Sequence, residues 1–304
     1  MRERLRVIVR EKRMLTPEVC RLVFARADGG ELTANAGDHI VLHTPAGAAR
    51  SYSVTDARDG TVAIAVLRES AGRGGSVSAV DDTAVGQLLE IDAPHNTFPL
   101  VTAPRYLLIA GGIGITAIRP MWHALRASGA DVELLYLTRT AERTAFAAEF
   151  VGQPGVTMRH SIDGRLDLWP WLAEPDDELH LYVCASPALL EEVRLSTMHW
   201  RASRVHTEDF AGVSAEGGAP FTAVWRPTGA EIAVPGSATL LSALRSSGLE
   251  LDSSCESGTC GSCVLTIVEG EAEHRDLVLD PSERATRIMP CVSRARSDRL
   301  VLDR

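Results

Sequence analysis

Three cysteines stand within nine positions of the stretch "LDSSCESGTCGSCVLTIVEG", residues 251–270, and a fourth follows at Cys291. Four residues separate Cys255 from Cys260 and two separate Cys260 from Cys263, giving the pattern C-x4-C-x2-C…C. Thiolates are soft ligands, and this spacing is that of four cysteines holding a 2Fe-2S cluster. Such a cluster carries excess negative charge. A loop rich in Ser and Gly can turn tightly around it and aim backbone N–H groups at the sulfurs. A structural zinc site usually offers two paired C-x2-C knuckles, whereas this stretch offers one. Cys20 and Cys184 lie instead in apolar, strand-like runs, where a small core residue is the default.

Two glycine-rich turns form a second class of candidates. In "YLLIAGGIGITAIRPMWHAL" an apolar run meets Gly111, Gly112 and Gly114, with Thr116 two residues on, and a helical pattern follows. A strand-to-helix turn without side chains lets a pyrophosphate approach outward-pointing amides. Close packing of helix on strand would need the same glycines, and the form here is G-G-x-G-x-T rather than G-x-G-x-x-G. The other turn, "RESAGRGGSVSAVDD", brings Gly72, Gly74, Gly75 and Ser76 to the start of a possible helix. It is either a phosphate cradle or a surface turn.

The elements that must position these residues fall into three textures. From Arg4 to about Pro99, runs such as "RVIVR", "VCRLVFA", "HIVLHT" and "TVAIAVL" are separated by Gly, Asp and Pro turns, which predicts an antiparallel sheet or barrel. From Tyr106, apolar strands alternate with helical stretches, predicting a parallel sheet covered on both faces. "GVSAEGGAP", residues 212–220, has no periodicity and suggests a linker. From Phe221 the order is strand, a turn at "PTG", strand, a helix around "ATLLSALRSSG", the cysteine loop and a further strand.

With 304 residues the chain has room for two or three cores, and 45% hydrophobic and 23% charged residues with a net charge of −9 are ordinary for a globular protein. No basic run with interleaved aromatics marks a nucleic-acid partner. "MRERLRVIVREKRM" has no apolar stretch of signal-peptide length, and no segment approaches the roughly 18 apolar residues of a membrane span. A cytoplasmic location is expected, where the six cysteines stay reduced and close spacing points to metal or redox chemistry.

Residues 221–304, including "PCVSRA" around Cys291, resemble a plant-type ferredoxin domain, which implies a β-grasp fold. The turn at Gly111–Thr116 resembles the nicotinamide nucleotide domain of the ferredoxin-NADP reductase superfamily. That likeness implies a companion cysteine after a later strand, here Cys184 in "LYVCAS". Ala185 and Ser186 stand where that superfamily usually has Gly-Pro, and Ala117 where a proline often follows the threonine. "ARSYSVTD" matches the superfamily's R-x-Y-S flavin pattern through Arg50, Ser51, Tyr52 and Ser53. An aromatic ring can stack on the isoalloxazine, a small hydroxyl can bond its reactive nitrogen, and a guanidinium can pair with phosphate. By itself the tetrapeptide reads as an ordinary Arg-Tyr pair on an exposed strand; its place before strand-like runs and a second glycine motif is what favours the flavin reading.

The order of flavin barrel, nucleotide domain and C-terminal ferredoxin resembles the phthalate dioxygenase reductase family, which includes vanillate demethylase reductases. The resemblance spans essentially the whole chain. It implies a multidomain fold: an antiparallel β-barrel flavin domain (1–103), an α/β parallel-sheet NAD-binding domain (104–211), a linker (212–220) and an α+β β-grasp 2Fe-2S domain (221–304). It implies FMN, with FAD as the alternative, and NADH, although Arg139 after "ELLYLT" could meet the extra phosphate of NADPH. Glu208 in "RVHTEDFAG" falls where relatives bring the chain back beside the flavin, so Ser53, Cys184 and Glu208 are the candidates nearest the reacting atoms. The implied activity is an NADH-dependent oxidoreductase of aromatic catabolism that passes electrons through flavin and cluster to a terminal oxygenase. That partner would be a Rieske-type oxygenase or demethylase, with a haem-thiolate monooxygenase as the alternative. A redox-sensing module is a rival of another class, as is a structural subunit that has lost nicotinamide binding. Asp252, Glu256, Glu269 and Glu271 could draw a basic partner surface, solvation being their default role.

Overall fold

The computed structural model describes residues 3–72, 74–210, 217–253, 256, 258, 261–276 and 278–304. The chain divides into two compact units, Arg2–Phe210 and Ala211–Arg304. The first unit opens with β1 (Arg4–Met14), β2 (Val19–Arg26), β3 (Asp38–His43), β4 (Ala49–Arg58), β5 (Thr61–Leu67), a short helix α1 (Gly75–Asp81) and β6 (Leu88–Asn96). The strands close into a barrel in the order β1-β2-β5-β4-β3-β6. Alternation decides what fills it: along β1, Leu5, Val7 and Val9 point inward while Arg4, Arg6 and Arg10 stay at the surface. Register slips between Val9 and Glu11 in β1 and between Val54 and Asp56 in β4 are bulges of the kind that let a sheet bend shut.

The same unit continues with β7 (Arg105–Gly111), α2 (Ile115–Ser128), β8 (Asp131–Thr138), α3 (Ala147–Phe150), β9 (Val156–His160), α4 (Trp169–Leu172), β10 (Leu179–Ala185), α5 (Pro187–Ser196) and β11 (Val205–Asp209). The strands run parallel in the order β11-β10-β7-β8-β9. Both faces of β7 are buried, and successive residues serve opposite cores. Tyr106, Leu108 and Ala110 pack with Ile118, Met121 and Trp122 of α2, while Leu107 and Ile109 pack with Leu172, Val193 and Trp200 on the other side. The α2-side core also takes in Val19, Ala65 and Phe98 of the barrel portion, so this apolar cluster joins the sheet to the barrel, whose own core is separate. Helix α2 stops at Gly129, whose φ of 74° suits a left-handed cap.

The second unit contains β12 (Phe221–Trp225), β13 (Ala230–Val234), α6 (Leu240–Ser246), β14 (Leu265–Glu269), β15 (Ala272–Glu273), β16 (Arg287–Ile288), β17 (Arg294–Ala295) and β18 (Arg299–Asp303). Its main sheet runs β13-β12-β18-β14-β16, beside a small β15-β17 pair. The expected "PTG" turn is there: the N–H of Gly229 donates to Trp225 O at 2.9 Å. Thr239 caps α6 by accepting from the N–H of Ser242 at 2.9 Å. Of the expected linker, 212–216 lie outside the described residues. Its end is tied down within this unit, since Arg275 donates to Gly217 O at 2.9 Å and the buried Arg294 to Ala219 O at 3.2 Å. No helix among the described residues is long and apolar enough to cross a membrane.

Candidate functional site

Strand β4 carries the R-x-Y-S residues and pairs with β3, setting Ser53 opposite His39, Tyr52 opposite Ile40 and Ser51 opposite Val41. The Arg50 side chain lies across the glycine turn: a Cβ added to Gly75 would fall 2.7 Å from Arg50 Nε. Gly74, at φ 80°, makes the turn into α1, and the space around its Cα is open. The turn is closed through Glu69, whose N–H donates to Ser76 Oγ at 3.0 Å and whose carbonyl accepts from Gly72 at 3.3 Å. Tertiary folding thus joins two sequence-distant motifs into one cationic, glycine-lined cradle. Tyr52 Oη is buried without a hydrogen-bond partner, and burial pushes its phenol up to about 12. A buried hydroxyl left unpaired is costly, which is what a site built around a further polar group looks like.

On the parallel sheet, the Gly111–Gly114 turn meets the end of β10. A Cβ on Gly111 would fall 2.7 Å from Ala185 Cβ, and one on Gly114 would run into the Cys184 carbonyl. These two glycines serve close packing, whereas Gly112, at φ 55°, borders open space. Thr116 holds the turn by donating to Ile113 O at 2.9 Å. Cys184 is fully buried; burial, then Glu208 and Asp209, push its thiol well up, so it stays protonated. It pairs in register with Glu208 of β11. Glu208 Oε2 is buried with no hydrogen-bond partner, and burial raises its carboxyl to about 7. Arg139 is exposed one residue past the end of β8.

In the second unit, Cys263 and Cys291 fall into one apolar cluster with Leu241, Leu279, Met289 and Val292. Cys255 and Cys260 lie outside the described residues. Three contacts fix the segments around them. The N–H of Leu241 at the start of α6 donates to Pro290 O at 2.8 Å, next to Cys291. Gly258 packs on Val292, where a Cβ would fall 2.8 Å from Cγ2. Arg245 of α6 reaches over the loop to Leu251 O (2.7 Å), Ser253 Oγ (2.6 Å) and Glu256 Oε1 (2.8 Å). Glu256 itself sits at φ 50°, unusual for a residue with a side chain.

A family model described as a 2Fe-2S iron-sulfur cluster binding domain matches residues 224–296. Over 312 residues the chain is 38% identical to phthalate dioxygenase reductase from Burkholderia cepacia, covering 98% of this chain and 97% of that one. The chain belongs to the phthalate dioxygenase reductase family. A second member, vanillate O-demethylase oxidoreductase from Pseudomonas sp. (strain HR199 / DSM 7063), is 36% identical over 314 residues, covering 98% of this chain and 99% of that one. A solved phthalate dioxygenase reductase, described as a modular structure for electron transfer from pyridine nucleotides to 2Fe-2S, superposes with a TM-score of 0.81. It is 38% identical, and the match covers 99% of this chain and 98% of that one. The family fold is thus present throughout: antiparallel barrel, parallel α/β sheet and C-terminal ferredoxin-type domain. As in this family, the chain is an oxidoreductase, the reductase component of an oxygenase.

Two residues that brace the segments around the cysteines have no local signature. Arg245 belongs to a helix whose sequence says nothing about the loop it holds. Asp276 is buried, accepting from the N–H of Leu279 at 2.8 Å and from Ser293 Oγ at 3.3 Å, and so braces the segment just after Cys291. The acidic residues offered as partner-facing divide: Glu256 is engaged by Arg245, and Glu269 lies 3.5 Å from Arg299.

Proposed function

We propose that this chain takes electrons from NADH and passes them, through FMN and a 2Fe-2S cluster, to a terminal oxygenase acting on an aromatic substrate. The supporting observation is the meeting of the Gly111–Gly114 turn with Cys184 and the buried, unpartnered carboxyl oxygen of Glu208. A phosphate-accepting turn, a small soft side chain and a protonatable group share one edge of the sheet.

The residues fit the groups the family employs. Arg50, Ser51, Tyr52 and Ser53, with Gly72, Gly74, Gly75 and Ser76, would hold the flavin. The unpaired Tyr52 Oη and the guanidinium resting on Gly75 are the features that call for it. Gly111, Gly112, Gly114 and Thr116 would hold the nicotinamide nucleotide, with Cys184 against its ring and Arg139 near its far end. Cys255, Cys260, Cys263 and Cys291 would ligate the cluster. When bound, flavin supplies the conversion between two-electron and one-electron transfer, and the cluster supplies one-electron relay. The protein's share is placement: Arg50 neutralises phosphate, Gly112 admits a pyrophosphate, and the protonated Cys184 packs without adding charge. Glu208, with its carboxyl near 7, holds or releases a proton at Oε2 near neutral pH.

The test is an anaerobic titration with NADH, following the visible spectrum of wild type and of Cys260→Ser. Wild type should lose flavin and iron-sulfur absorbance together, and the variant should bleach only flavin. Absence of bleaching in the wild type would refute the proposal; a variant that kept a normal cluster would refute the ligand assignment.

A further inference from the structure

Arg119 lies on α2, five residues beyond Gly114, and is 8% exposed. Its Nη1 donates to Thr55 O at 2.6 Å, across the junction between parallel sheet and barrel. Thr55 is the residue skipped where the β4–β5 ladder slips between Val54 and Asp56. A bulge residue is left out of ladder pairing, and Arg119 takes up that carbonyl while the Thr55 hydroxyl donates to Ala63 O at 3.1 Å.

The guanidinium is itself fixed from the other side. Nε and Nη2 donate to the two Glu149 oxygens at 2.7 and 3.1 Å, and Cζ lies 4.9 Å from the centre of the Phe146 ring. Phe146 holds a φ of 57°, a left-handed conformation that costs a bulky residue about 1–2 kcal/mol. His123 Nε2 meets Glu149 Oε2 at 3.0 Å. Burial alone would raise the Glu149 carboxyl, but hydrogen bonds from His123 and Arg119 carry it down to about 2, so it is ionised.

Arg119 therefore connects the strand of the R-x-Y-S residues to the helix that opens at the nucleotide turn. Thr55 follows Ser53 by two residues, about 7 Å along a strand. Arg119 follows Gly114 by five, about 7.5 Å along a helix.

We propose that Arg119 is a positioning residue for the NADH-to-flavin step, its bond to the Thr55 carbonyl fixing the nucleotide turn against the flavin strand. The inference rests on the function proposed above. The step oxidises NADH to NAD+ as a hydride, two electrons with one proton, passes to the flavin. It requires reacting atoms about 3–3.5 Å apart, and a misplacement of about 1 Å can cost on the order of a hundredfold in rate.

The experiment compares wild type with Arg119→Gln, the double variant Arg119→Gln/Glu149→Gln, which leaves no uncompensated carboxylate, and Arg119→Lys, which keeps charge but can serve only one of the two partners well. Rapid anaerobic mixing gives the rate of flavin bleaching at saturating NADH, the NADH dissociation constant and the long-wavelength charge-transfer absorbance. We expect the Gln variants to bleach at least tenfold more slowly with weakened charge-transfer absorbance and a dissociation constant within twofold of wild type, and the Lys variant to fall between. Slowing of less than tenfold, or slowing matched by equally weaker NADH binding, overturns the proposal; should the Gln variants not fold, the Lys variant is judged by whether it is slower than wild type. Amide hydrogen exchange at Val54–Asp56, read without NADH, tests the clamp separately: faster exchange in the variants supports it, and protection unchanged from wild type overturns it. If NADH fails to bleach even the wild type, the proposed function has failed, and exchange still judges the clamp.

Discussion

Glu208→Gln isolates a cost that the structure places on one atom. Glu208 Oε2 is buried without a partner, and burial raises the carboxyl from 4.5 to about 7. Each tenfold change in proton affinity is worth about 1.4 kcal/mol, so the ionised side chain costs the fold about 3 kcal/mol. The folded protein binds this proton more tightly than the unfolded chain. The associated stabilisation is complete below about 4.5 and is lost as pH rises through about 7. Glutamine keeps the shape and has no proton to lose. The thermal midpoint of the first unit, measured for both proteins from pH 4 to 8.5, should therefore show a gap that widens with pH in favour of the variant. At about 2–4 °C per kcal/mol for a unit of this size, the gap should grow by on the order of 6–12 °C. A gap that stays flat across pH 4.5–8 would show that Glu208 is solvated and would remove the basis for a proton-holding role. In the same series, the wild-type rate of flavin bleaching by NADH should change with a midpoint near 7, and the variant should lose that change.

Gly114→Ala should cost about 2–3 kcal/mol, because its Cβ would meet the Cys184 backbone carbonyl, whereas Gly112→Ala, with open space around it, should cost only about 1–2 kcal/mol of backbone strain and yet weaken NADH binding. Thermal midpoints and NADH titrations in the reverse order would contradict that division between packing and binding. Tyr52→Phe removes a buried, unpaired hydroxyl, so the flavin-free protein should gain about 1 kcal/mol while flavin binds more weakly; equal flavin affinity in a dialysis titration would place Tyr52 outside the site. Arg245→Ala releases Leu251, Ser253 and Glu256 together. A loss of about 1 kcal/mol in loop anchoring should speed iron capture by a chelator about fivefold, and an unchanged rate would show that the loop holds its shape without the arginine.

Chemistry that depends on local spacing was legible in the sequence. The four cysteines, the glycine runs and the R-x-Y-S tetrapeptide carry their meaning in neighbouring residue types, because a ligand loop or phosphate turn is made by consecutive backbone. Strand periodicity likewise announced the barrel, since inward and outward residues alternate along its strands, and apolar strands alternating with helical stretches announced the parallel sheet. Relations between segments were not legible. The packing of Gly75 under Arg50, the pairing of Cys184 with Glu208 and the reach of Arg245 over the cysteine loop join residues whose local sequences are silent about one another.

The sequence by itself determined which groups this protein can hold, because ligand type and turn geometry are short-range properties. Only the tertiary structure decided how those groups are served. It gave Gly111 and Gly114 to packing and left Gly112 open, buried one carboxyl oxygen of Glu208 without a partner, and set Arg119 against Thr55, 64 residues away. Burial and charge are sums over neighbours that the fold assembles from distant parts of the chain, and they set proton affinity and relative position at the site.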